Sequence, residues 1–154
     1  MRALSIAALC LVLTRSAMAG PIAAAAGGGL GALAPEYAIQ RIQDDDTTSG
    51  NPVADVWASF FEDASIFGLF AVTTTTAALG TYALGEASGG SHDRTRALGG
   101  AFAGAAAGTL AALAVKYAIP KSWPHRVAVR TAIASTLIAT ASTITYQLAG
   151  GGPR

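Results

Sequence analysis

The sequence predicts an all-α fold: a three-helix transmembrane bundle with glycine-zipper packing, preceded by an N-terminal signal peptide and an acidic amphipathic arm. Three observations carry this expectation. Charged residues make up only 12% of the 154-residue chain, against 52% apolar residues; an ordinary soluble domain carries about 25% charged residues. Three runs contain no charge at all: 22 residues from Ala64 to Gly85, 19 from Ala97 to Val115 and 23 from Thr131 to Pro153. Inside the second run, in the stretch GGAFAGAAAGTLA, Gly100, Gly104 and Gly108 recur every four residues.

The leader comes first. Met1 and Arg2 form a short positive region, Ala3 to Leu13 an apolar one, and Ala17-Met18-Ala19 places small residues at −3 and −1. This pattern predicts a signal peptide over residues 1–19, cleaved before Gly20. An organelle transit peptide is the alternative, since Arg2 and Arg15 precede the first acid, Glu36; such peptides are richer in Arg and Ser and amphipathic. Cleavage removes Cys10, the one cysteine of the chain, and leaves no disulfide chemistry.

Residues 20–50 read as a low-complexity tether and acidic loop. Gly27, Gly28 and Gly29 weigh against a stable helix in GPIAAAAGGGLGALA. A short helical turn in PEYAIQRIQ follows, with Pro35 near its start. The triplet Asp44-Asp45-Asp46 has the oxygen donors of a hard-cation site. No Gly and bidentate Glu follow at EF-hand spacing, so a solvated acidic loop is expected and no metal or other cofactor.

The helical membrane domain, residues 51–154, opens with Asn51 as a cap and Pro52 at the first helical position. Val53, Val56, Trp57, Phe60 and Phe61 then form one helical stripe, with Asp55, Ser59 and Glu62 turned away. Trp57, Phe60 and Phe61 are expected as interfacial anchors of this arm. Spans follow at about 64–85, 97–117 and 127–148. The uncharged runs would each extend about 28–34 Å as helices, enough to cross a hydrocarbon core. EASGGSHDRTR and KYAIPKSWPHR separate them, with Pro120 and Pro124 as breakers. A soluble three-helix bundle needs a polar face on every helix, and these runs lack charge all round.

Gly100, Gly104, Gly108 and Ala112 share one helical face, which suits close backbone approach in lipid. Gly68, Thr76 and Gly80 make a weaker version on the first span. Ala128, Ala132, Thr136 and Thr140 form a strip on the third. The partner of the glycine row is the first span, the third span or a second copy.

Charge is polarised along the chain. Residues 20–63 hold seven acids and one base, residues 86–154 two acids and seven bases. A cleaved leader puts the N-terminus outside, and three spans then put loop 116–130 outside as well. That loop carries Lys116, Lys121, Arg126 and Arg130, against the positive-inside rule.

No catalytic pattern is present. Ser91-His92-Asp93 has triad residue types, but adjacent residues cannot converge as a triad; Ser91 or Asp93 is expected as a helix cap. Trp123, His125 and Arg126 look like interfacial anchors beside head groups. GGGLGALA follows no strand, so phosphate binding is not expected. With no charge inside the three runs, a proton or ion relay lacks a carrier. The bases are few and flank membrane-length segments, which weighs against nucleic-acid binding. The expected function is therefore that of a non-enzymatic integral membrane protein, a structural or assembly subunit of the cell envelope, in a bacterial inner membrane. Its partners would be the lipid bilayer and further copies or other membrane subunits. A pore or permeation subunit is one alternative, a soluble exported helical protein a second.

Overall fold

The computed structural model describes residues 19–44, 52–120 and 122–151, apart from the side chains of residues 19, 52–58, 60–62 and 116. Its helices are α1 (Ala19–Asp44), α2 (Pro52–Ser88), α3 (Arg94–Leu113), α4 (Val115–Ala118) and α5 (Arg126–Leu148). Three regions are long and apolar enough to cross a membrane: Asp63–Ser88, Arg94–Leu113 and Arg126–Leu148. Residues 1–18, where a signal peptide is expected, lie outside the described residues.

The four long helices form a ring. α1 lies beside α2, α2 beside α3, α3 beside α5, and α5 closes back onto α1; α2 and α5 also meet across the centre. Every neighbouring pair is antiparallel. Gly27 lies against Gly80 and Gly31 against Thr76; Gly100 lies against Thr145 and Gly108 against Ile138; Gly28 meets Ala139 while Asp44 reaches Arg130.

α1 corrects the expected tether. Residues 20–44 are one helix with Pro35 inside it, not a flexible linker ending in a loop. Intrinsic propensity is a weak prior that tertiary contact overrides, and the contact is plain here. A Cβ added at Gly27 would strike the Gly80 carbonyl, and one at Gly31 the Thr76 carbonyl. The glycines that weaken an isolated helix are the ones that let α1 lie against α2. The Thr76 hydroxyl bridges the same contact, 2.6 Å from the Gly31 carbonyl oxygen. The bundle accordingly has four long helices where three were expected.

The amphipathic arm is corrected too. Pro52 begins α2 as expected, but the helix then runs unbroken for 37 residues to Ser88. Residues 52–63 thus continue the first span and are not a separate element. The side chains of Trp57, Phe60 and Phe61 lie outside the described residues. α3 ends at Leu113, four residues short of the expected boundary, and α4 resumes after Ala114. Pro120 and Pro124 stand in the turn before α5, where His125 has φ 57°.

The glycine row of α3 faces α5. A Cβ at Gly100 would stand 2.5 Å from the Thr145 carbonyl oxygen, and one at Gly108 would stand 2.7 Å from Ile138 Cα. At Gly104 it would strike the Ala141 carbonyl and the Thr145 hydroxyl. Ala112 continues the row and is fully buried. The first span behaves differently from the expectation. Gly80 packs on Gly27 of α1, and a Cβ at Gly68 would meet nothing within 4 Å. Gly68 therefore packs on no other helix of this chain: it is exposed, as is its neighbour Phe67.

These environments predict opposite outcomes for one chemical change. Gly104→Ala forces the α3 and α5 backbones apart, and overpacking of this kind costs about 1–3 kcal/mol. Gly68→Ala adds a methyl in open space and gains up to about 1 kcal/mol of helix propensity. Thermal unfolding of the purified chain in detergent should show a lower Tm for the first and an equal or higher Tm for the second.

Candidate functional site

The bundle interior is built from small and polar residues. Ala24, Ala32, Ala77, Ala78, Ala101 and Ala105 are fully buried, with Thr73, Thr81, Thr109 and Ser142 among them. Such side chains let helices approach closely, and their hydroxyls find partners at short range. Thr73 donates to the Leu69 carbonyl and Thr109 to that of Ala105, each at 2.8 Å. The Ser142 hydroxyl lies 2.9 Å from Thr81 Oγ1 and 3.0 Å from the Ala101 carbonyl oxygen, joining α5, α2 and α3 at one point.

Each end of the bundle has its own polar group. At the α2–α3 turn, Tyr146 donates to Glu86 at 3.2 Å and Arg94 reaches the same carboxylate at 3.6 Å. The Tyr146 ring is buried because Gly85 and Gly151 leave room on either side of it; a Cβ at either would run into the ring. Tyr82 meets it edge-on, with centroids 6.4 Å apart. Asp93 caps α3 as the sequence led one to expect, accepting from the Thr95 and Arg96 amides at 3.1 Å each. His92 beside it is exposed.

The opposite end carries an ion pair, the shortest among the described residues. Asp44 Oδ1 accepts from Arg126 Nε at 2.6 Å and lies 3.3 Å from Arg130 Nη1. Arg130 is 3% exposed, and its Nη2 donates to the Ile119 carbonyl at 2.5 Å. This corrects one expectation. Asp44 is the end of a helix and a partner of two arginines, not part of a solvated acidic loop; Asp45 and Asp46 lie outside the described residues. Arg126 is held by Asp44 and a third exposed, and Trp123 and His125 are exposed in the turn before α5.

α1 also brings a carboxyl into the interior. Glu36 and Gln40 are both fully buried, and Gln40 Nε2 donates to Glu36 Oε1 at 2.8 Å. The expectation that the bundle holds no ionisable carrier rested on the three uncharged runs alone, and Glu36 lies on a fourth helix outside them. Its burial shows no periodic signal in sequence, because the segment before it reads as linker.

Among the described residues, no three His, Cys, Asp or Glu side chains gather as metal ligands would. A groove of about 600 Å³ runs between α1 and α5, walled by Gly29, Leu30, Leu33, Ala132, Ser135 and Ala139 among others. Comparison with protein-family models, with curated proteins and with solved structures finds no match.

The Asp44 pair makes a stability prediction. Asp44→Ala strands Arg130 as a buried charge, and removing one partner of such a pair costs about 3–5 kcal/mol. Arg96→Gln breaks the exposed pair with Asp93 (3.3 Å) and should cost less than about 1 kcal/mol. Denaturant unfolding of both variants in detergent should separate them clearly.

Proposed function

We propose that this chain is a non-enzymatic integral membrane protein, a structural or assembly subunit whose tightly packed bundle presents an apolar exterior to lipid and to neighbouring membrane subunits. One observation supports this reading above the others: the residue distribution is inverted relative to a protein in water. Phe67, Leu110 and Leu148 are 77%, 61% and 83% exposed, while Thr73, Thr81, Thr109 and Ser142 are fully buried. Water would penalise that exterior; a bilayer matches it. The glycine-zipper reading of the α3–α5 contact belongs to the same proposal, because lipid gives no solvent-driven term and close packing has to hold the helices together.

A membrane crossing by α1 would also remove a conflict over orientation. If α1 crosses the bilayer alongside α2 and α5, the chain crosses four times and its two ends share a side. A leader cleaved before Gly20 then puts both ends and the 89–93 turn outside. The opposite end, with Arg41, Lys116, Lys121, Arg126 and Arg130, faces the cytoplasm. The outer end holds Arg94, Arg96 and Arg154. This is the order the positive-inside rule prefers, reached without giving up an N-terminus outside, in a bacterial inner membrane.

Single cysteines in a Cys10→Ser background test both statements. In intact cells, His92→Cys should react with a membrane-impermeant maleimide, Ser122→Cys only after the cells are opened, and Leu110→Cys in neither case. Labelling of Leu110→Cys as fast as that of His92→Cys would remove the membrane reading. Labelling of Ser122→Cys in intact cells would reverse the orientation.

A further inference from the structure

Among the described residues, several buried side-chain atoms without a partner lie along one seam of the bundle. On α1 they are Glu36 Oε2, Gln40 Oε1 and Gln43 Oε1; on α5 they are Arg130 Nε, Thr131 Oγ1 and Ser135 Oγ, with Thr143 Oγ1 further along the helix. Gly28 opposite Ala139 and Asp44 opposite Arg130 set the register, which places Glu36 at the level of the α5 turn carrying Thr131 and Ser135. In folded proteins roughly nine in ten buried polar atoms have a partner, supplied by water where the protein gives none. Glu36, Gln40 and Gln43 lie at i, i+4 and i+7, so they form one stripe that climbs α1 to Asp44 at the end of the bundle.

Among the described residues, the charges on α1 and on the two helices packed against it lie away from Glu36 or are already paired. On α1 itself, Arg41 is exposed and Asp44 is bound to Arg126 and Arg130. On α5, those two arginines are the nearest bases along the helix, and both are held by Asp44. On α2 there is no charge between Ala64 and Gly85, and the buried group next along the face after Thr76 is Thr73. Among the described residues, Glu36 therefore has an amide partner and no cationic one. A fully buried carboxylate without a cation is costly, whereas the neutral acid needs only hydrogen bonds.

We propose that Glu36 is a proton-binding site, exchanging its proton with the aqueous phase through water held along the Gln40–Gln43 seam toward Asp44. The exchange is a simple one. The O–H bond at Glu36 Oε2 breaks as its proton passes to a neighbouring water, and reforms when a hydrated proton returns. The site gives the membrane domain a titratable group at depth, the class of residue that marks proton pathways in other bundles. It goes beyond the structural role proposed above and does not depend on the orientation of the bundle.

Infrared spectroscopy of the full chain in lipid nanodiscs tests it. With glutamate ¹³C-labelled at the side-chain carboxyl, only Glu36, Glu62 and Glu86 report. At neutral pH the wild-type chain should show a label-sensitive C=O band of a protonated carboxyl. The band should shift within minutes in D₂O, disappear completely in Glu36→Gln and persist in Glu86→Gln. Absence of the band from the folded wild-type chain would overturn the proposal, whether or not Glu36→Gln folds. So would its loss in Glu86→Gln, or a band that does not shift in D₂O overnight, which would mean a sealed carboxyl that exchanges nothing.

Discussion

Where Gly27 meets Gly80, the backbones of α1 and α2 stand in direct contact, with no side chain of either glycine between them. Most of the architecture depends on that approach and on its counterpart at Gly104 and Ala141 between α3 and α5. The spacing it imposes explains why most of the core is Ala, Gly, Ser and Thr, with Ile39, Ile138 and Tyr146 as its large buried side chains. Many of the other large apolar residues lie on the outside. A core so poor in methylene groups gains little from burial in water, but in lipid the relevant gains are packing and short hydrogen bonds between helices. The composition, the helix spacing and the apolar exterior are thus one constraint seen at three levels.

Tight packing also decides where polar groups can lie. Hydroxyls of Thr73 and Thr109 bond back to carbonyls one turn earlier in their own helices, and Thr109 also accepts from Thr74 of α2 at 3.5 Å. The charged groups go to the ends: Glu86 with Arg94 and Tyr146 at one, Asp44 with Arg126 and Arg130 at the other. Glu36 is the exception, a carboxyl in the interior. It lies beyond Pro35, in the half of α1 that has left the glycine contacts with α2 and runs against the polar turns of α5.

Much of the bundle was legible in the sequence because its signals are local. Uncharged runs of membrane length mark the spans, Asp93 and Pro52 mark helix starts, and the four-residue spacing of Gly100, Gly104 and Gly108 marks a face that another helix approaches. α1 was not legible, for a physical reason. Gly27 to Gly29 lower intrinsic helicity, and what restores it is a contact with residues some fifty positions later in the chain, which no local pattern reports. The same omission concealed the site. Once α1 reads as linker, Asp44 reads as solvated, and the orientation of the basic turn conflicts with the expected leader. A row of glycines beside alanines has two readings, a tether or a helix face, and only the partner distinguishes them. Gly68 shows the converse: its spacing fits a packing face, yet nothing lies within 4 Å of it.

The central claim is that residues 19–44 are an integral helix of the bundle. Amide hydrogen exchange of the full chain in lipid nanodiscs tests this most directly. If α1 packs between α2 and α5, amides 24–40 should exchange as slowly as those of residues 69–84, since both segments would open only with the bundle as a whole. Exchange of 24–40 at the rate of an unstructured peptide, with 69–84 still protected, would contradict the account and return the segment to a tether.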